Sequence, residues 1–383
     1  MSTEFANRDG VIERLLRESE AIPLAIREDP AAYRVQAIVS FLPRPGEGGP
    51  IVSHSFREDE EYFYPASTIK LPTAVAALDA LNDPLMVAAG VTEHSRLRYH
   101  PCFEGESVDE VDPSNLQGGA ISIGHDARHA LIVSDNVAHN RLFEFLGHEG
   151  TNRRLRGMGL LSVGFNHRLS EPHSREEHRR TPRIEVFGSR GRVVLPARES
   201  GLMFDHDNVR GIEVGRAHIE DDRLIERPFS FGWRNRISLR DLHRLVIAVV
   251  RPDLATGVRM ELPEERRGLV LEAMEQFPRQ STNPDFRGEH PDEFVKPLLP
   301  GLRAALGHDG FRMWNKIGWA YGFMTDTACV HDLVADSWFS ITATMHTSPG
   351  GVIGGDDYEY DVMAKPFFAG LASKVAGLNR ARA

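Results

Sequence analysis

Residues 64–81 read YPASTIKLPTAVAALDAL: a serine, two intervening residues, then a lysine where an apolar, Ala- and Leu-rich run begins. That run is made of helix formers with little punctuation, which predicts a helix over 68–83. Residues three apart share one face of a helix, about 5–6 Å apart at Cβ. The spacing therefore sets Ser67 beside Lys70. Such a pair is either an ordinary helix start with a solvated lysine, or a nucleophile with its general base. The rest of the chain decides between them.

Toward the N-terminus, 9–28 reads as a helix. RVQAIVSF (34–41) reads as a strand, LPRPGEGG as a turn and PIVSHSF (50–56) as the returning strand. Toward the C-terminus, 84–120 is turn-rich, and helices are expected over 124–134 and 136–147. Residues 150–235 hold short strand-like pieces among charges and turns, read as elaboration of a core fold. SLRDLHRLVIAVV (238–250) is an amphipathic helix with Ser238 as cap and Asp241 at its third position. PEERRGLVLEAMEQF (263–277) is another helix.

In the last third, FRMWNKIGWAYG, DTACVHDLV and WFSITATMHTS read as successive strands before a final helix. The expected fold is α+β: an antiparallel sheet built from both chain ends, with a helical lobe inserted between. The 383 residues are expected to form one domain, with a sheet lobe at about 1–66 and 300–383 and a helical lobe at about 67–299. A cleft between the lobes is the default place for a site.

Composition narrows the function. The chain is 41% apolar and 26% charged, with net charge −10. An acidic chain of this kind argues against nucleic-acid binding. Only Cys102 and Cys329 are present, read as thiols, and nothing in the sequence pairs them. The 17 histidines form no HExxH pattern, so neither a metal nor a cofactor is expected. The first residues are polar rather than a signal peptide. No apolar run is long enough to span a bilayer. The chain is expected to be soluble: cytoplasmic if its N-terminus is native, periplasmic or secreted if an export signal has been removed. The oligomeric state is left open.

Three short patterns recur in order: Ser67-Thr68-Ile69-Lys70, Ser134-Asp135-Asn136 between two helices, and Lys316-Ile317-Gly318 on a late strand. Together they resemble the penicillin-recognising serine hydrolases, and most of all the class A β-lactamases, with their SxxK, SDN and KTG motifs. The contexts are similar too: YFYPASTIKLPTAVAAL, ALIVSDNVAHNRLFEFLG, NKIGWAYGFMTDTACV and RISLRDLHRLV. The resemblance spans roughly residues 34–380, interrupted by a poorly matching middle.

The resemblance implies a β-lactamase/transpeptidase-like fold and an acyl-enzyme on Ser67. Lys70 would be the base, with its proton affinity lowered by burial and a second cation such as Lys316. Ser134 would relay a proton, and Asn136 would bind the substrate amide or Lys70. The oxyanion would sit among backbone N–H groups of Ser67 and of Trp319 or Ala320. Asp135 reads as architectural, Asn140 and Asp326 as buried structural polar groups, and Tyr99 as a candidate cleft residue. Strand alternation puts Trp314, Lys316 and Gly318 on one face, with Ile317 and Trp319 opposite.

In NHRLSEPHSREEH (166–178), Glu171 matches the family's deacylation glutamate, with Glu176 and Glu177 as rivals. Three features depart from the family. The Asn expected after the Glu-Pro pair is absent. Ile317 replaces a threonine, and so cannot hydrogen-bond a substrate carboxylate. Extra material lies around 173–235 and 275–310. The expected substrate is a small amide, ester or β-lactam, cleaved with uncertain efficiency. The rival readings are a DD-peptidase or esterase of the same fold, and a binding or sensor domain that does not turn over.

Overall fold

In the computed structural model, the described residues are 9–382, except 207, 288–289, 309 and 356–357. They form two compact units. One holds the residues through Thr68, Asp205–Thr256 and Lys296 onward; the other holds Ile69–Phe204 and Gly257–Val295.

The first unit is built on a five-stranded antiparallel sheet. Its strands are β1 (Gln36–Leu42), β2 (Val52–Phe56), β3 (Phe311–Ala320), β4 (Phe323–Asp332) and β5 (Ser337–His346). Their order is β3-β4-β5-β1-β2, so the two chain ends meet where β1 pairs with β5. Every residue of β1 is buried, as befits a strand with neighbours on both edges and cover on both faces. β3 and β4 join through Tyr321-Gly322, both at positive φ (54° and 80°), the two-residue turn that matches strand twist.

The helix Leu239–Val250 covers one face of the sheet. Its buried His243 lies 2.7 Å from Ser40 Oγ on β1 and 2.9 Å from Thr342 Oγ1 on β5. Ser238 caps this helix as expected, accepting from the Asp241 amide at 3.1 Å. The terminal helix Lys365–Arg382 covers the other face, through Asn379 to Ser337 (2.6 Å) and Arg380 to Asp332 (2.8 Å).

Two expectations shift. The helix over 9–28 is two helices, Val11–Glu18 and Leu24–Glu28, and Pro23 stands immediately before the second. Asp205–Thr256 belongs with the sheet rather than with the helical lobe. The reason is burial: Leu242, Leu245, Val246 and Val249 are fully buried on a helix that lies on the sheet.

The second unit centres on α1 (Lys70–Ala80), which is buried at all of its positions. Its Ala-rich sequence lets α2 (Ile123–Ile132) and α3 (Asn136–Leu146) approach closely. A small three-stranded sheet of Arg96–Tyr99, Ile184–Gly188 and Gly191–Leu195 completes it. Among the described residues, no helix is long and apolar enough to cross a membrane.

Candidate active site

Ser67 sits in a single 3-10 turn, Ala66–Ile69, that runs straight into α1 at Lys70. Ala66 holds φ at +45°, and Thr68 Oγ1 donates to Pro65 O at 2.7 Å, so the turn is fixed from both sides. A non-glycine residue at positive φ costs about 1–3 kcal/mol and is commonest where geometry serves function. The same signature marks Ser134 (φ 66°) and Ser170 (φ 57°).

Lys70 is fully buried yet well supplied with acceptors. Its Nζ donates to the Ser134 carbonyl oxygen, to Ser134 Oγ at 3.2 Å and to Asn136 Oδ1 at 2.7 Å. The turn between α2 and α3 brings these acceptors together. Asp135 caps α3 by accepting from the Ala138 amide at 2.7 Å. That bond explains the middle residue of the Ser-Asp-Asn pattern as architecture, in line with its sequence reading.

Asn136 and Asn140, one turn apart on α3, both bind the loop after Phe165. Asn140 accepts from the Leu169 amide (2.8 Å) and donates to the Leu169 carbonyl (2.9 Å). Asn136 Nδ2 donates to Ser170 Oγ at 2.8 Å. The loop is anchored by buried Arg168, which donates to Glu144 Oε1 at 2.7 Å and to the Arg180 carbonyl at 2.7 Å.

Glu171 follows Ser170, but its side chain is 39% exposed. Its carboxylate lies 3.5 Å from Asn140 Nδ2 and 3.9 Å from His173 Nε2. With Tyr99, Asn140, Arg141 and His173 it lines a cavity of about 160 Å³. The residue that touches Asn136, and through it the acceptor set of Lys70, is therefore Ser170. Sequence reading passed over Ser170 because serine in a loop carries no signal of its own. The rivals Glu176 and Glu177 lie on the short helix Arg175–His178, where Glu177 closes a capping box with Ser174.

The strand residues belong to the sheet unit, where β3 is the outer strand. Gly318 runs against the serine turn: a Cβ there would stand 2.4 Å from Pro65 O, 2.6 Å from Thr68 N and 2.8 Å from Ser67 N. Lys316 is buried and donates to the Ile317 carbonyl at 2.8 Å. Burial pulls its ammonium down to about 7; Asp326 opposes that pull and Lys296 adds to it. Register puts Ile317 across from Asp326, on the sheet face opposite Lys316.

Buried beneath that face, Lys296 donates to Asn315 Oδ1 (2.8 Å) and Asn315 Nδ2 donates to Asp326 Oδ1 (2.9 Å). Burial raises the Asp326 carboxyl to about 7. Trp319 and Ala320 are half-buried at the end of β3; Trp319 packs on Tyr360 with ring centroids 5.4 Å apart. Both cysteines are free thiols.

An antiparallel sheet from both chain ends, with a helical unit inserted between sheet segments, defines a β-lactamase/transpeptidase-like α+β fold. A family model described as a beta-lactamase enzyme family matches residues 53–349, and the chain belongs to that family. Solved structures share the fold at low identity. A beta lactamase from Burkholderia vietnamiensis is 16% identical with a TM-score of 0.51, covering 94% of each chain. A beta-lactamase from Desulfarculus baarsii is 15% identical with a TM-score of 0.51, covering 97% of this chain and 98% of its own. A mutant of PBP-A, solved as an acyl-enzyme complex with penicillin G, is 15% identical with a TM-score of 0.51, covering 97% of each. No curated protein matches the sequence.

Proposed function

We propose that this protein is a serine hydrolase that opens an amide or ester, β-lactams included, through an acyl-enzyme on Ser67. The observation that carries the reading is the acceptor set of Lys70: a buried lysine, one helical turn after Ser67, bound to both Ser134 and Asn136. In its neutral form Lys70 takes the Ser67 hydroxyl proton as Oγ attacks the substrate carbonyl. Ser134 then passes a proton to the leaving nitrogen or oxygen, and Lys316 supplies the second positive charge. Asn136 orients Lys70 and the substrate amide. Backbone N–H groups of Ser67 and of Trp319 or Ala320 hold the oxyanion, worth about 2.7–4 kcal/mol per donor in well-studied hydrolases.

Ile317 replaces a hydroxyl that could hold a substrate carboxylate, so substrates that do not depend on that contact are favoured. Glu171 is the group offered for deacylation. Its exposed side chain supports a slow second step. A chain that acylates and releases its product slowly is the second reading.

Intact-mass spectrometry during incubation with a chromogenic cephalosporin tests both. Colour with a transient adduct, lost in Ser67→Ala, supports turnover. A persistent adduct on Ser67 supports slow release. The absence of both colour and adduct overturns the β-lactam reading, and small esters and peptides then form the next panel.

A further inference from the structure

Away from Lys70 and its partners, α2 carries two histidines four residues apart, His125 and His129. That spacing puts both imidazoles on one helical face, and their ring centroids stand 6.0 Å apart. Asp112, from the turn-rich 108–119 segment, joins them. One ligand atom from each of the three residues lies within 4.8 Å of the other two.

The surroundings hold this carboxylate from behind. Asp112 Oδ1 accepts from the Ser114 amide (3.0 Å) and hydroxyl (2.6 Å), and Oδ2 accepts from Arg141 Nη1 (2.7 Å). Ser114 Oγ also lies 2.9 Å from His125 Nε2. Among the described residues, the other ring nitrogen, His125 Nδ1, is buried without a hydrogen-bond partner, and so is Oδ2 of its neighbour Asp126. Buried polar atoms normally have partners, so this corner of the helical unit is under-satisfied. Asp135 adds negative charge on the same side, 3.9 Å from His129 Nε2.

We propose that Asp112, His125 and His129 form a zinc-binding site with a fourth position left to water. Two imidazoles and a carboxylate are a donor set suited to zinc, and three protein ligands leave one position open. Arg141 and Ser114 act as the outer partners that orient the ligating carboxylate. Zinc bonds of about 2.0–2.2 Å place ligand atoms roughly 3.3–3.5 Å apart. The site therefore closes on loading, a movement within reach of half-buried His129. His125 also lines a cavity of about 440 Å³ with Glu93, Asn115, Arg128 and Glu272, which offers an entry path. The site is independent of the reaction proposed on Ser67.

The test is calorimetric titration of the full chain with zinc chloride after chelator treatment, with metal content by mass spectrometry and melting curves with and without zinc. One zinc per chain is expected, with a raised melting temperature. His129→Gln and Asp112→Asn are each expected to weaken binding at least tenfold and to abolish the melting shift; two variants guard against one that folds poorly. His173→Gln and Cys102→Ser, which alter the other histidine- and thiol-bearing surface of this unit, are expected to bind as wild type. Absence of stoichiometric zinc overturns the proposal. So does binding that survives both ligand variants, or that is lost in His173→Gln or Cys102→Ser.

Discussion

A Cβ on Gly318 would stand 2.8 Å from the amide nitrogen of Ser67, so β3 passes the serine turn with no room for a side chain. The nearest atoms are backbone, Pro65 O and Thr68 N among them, and cannot swing away. Gly318→Ala is expected to displace the turn, at about 1–3 kcal/mol in stability. We expect acylation of Ser67 to fall by about 100-fold, as is typical when reacting groups are misplaced by an ångström. Adduct formation by intact mass, beside a thermal melt, checks it; acylation at the wild-type rate would contradict the role given to this contact.

Asn136 accepts from Lys70 and donates to Ser170. Asn136→Ala removes one acceptor of a buried ammonium, a loss of about 1.5–3 kcal/mol, or roughly 10–150-fold in rate. The expected outcome is slower acylation together with weaker substrate binding, the two separated by the concentration dependence of adduct formation.

Glu171 and Ser170 separate by their effect on release. Glu171→Gln is expected to prolong the lifetime of the Ser67 adduct while leaving its formation nearly unchanged. Ser170→Ala frees Asn136 Nδ2, so its effect is expected on formation. Adduct decay after removal of excess substrate distinguishes the two, and a Glu171→Gln adduct that decays at the wild-type rate removes Glu171 from the mechanism.

Burial pulls Lys316 down to about 7, so its charged fraction falls as pH rises through neutrality. Binding of an anionic substrate is therefore expected to weaken above about pH 7. Lys316→Arg keeps its charge across that range, and is expected to flatten the limb. The pH profile of acylation at low substrate concentration reports it.

His243 is buried between β1 and β5, and burial lowers its imidazole to about 3; His148 and His346 are lowered to about 4 by the same cause. Folded pKa values below the unfolded 6.5 mean that the unfolded chain takes up these protons first. The resulting stability is fully present above about pH 6.5 and is lost as pH falls toward 4 and below. Denaturant unfolding at pH 7 and pH 4.5 is expected to show a marked loss at the lower pH, smaller in His243→Asn than in wild type.

Much of the site was legible because its signals are local. Ser67 and Lys70 lie one turn apart, and Asp135 caps the helix that begins at Asn136; that Gly318 meets the serine turn backbone to backbone came only from the structure. The alternating run from 311 to 320 also places Lys316 and Ile317 on opposite faces by strand periodicity alone. These readings rest on periodicities of 3.6 and 2, which belong to single elements.

What the sequence by itself determined was the set of elements and the chemistry-bearing residues on each: a sheet from both chain ends, the helix behind Ser67 and the Ser134 turn. Tertiary structure alone decided which residues of different elements meet. It placed Ser170 rather than Glu171 against Asn136, drew Asp205–Thr256 to the sheet, and gathered Asp112 with His125 and His129, which no sequence motif announced. The physical reason is that a loop's register follows from where its backbone is anchored. Here Asn140 grips Leu169 and Arg168 grips Glu144, and moving that grip by one residue would change which side chain faces Lys70's partners.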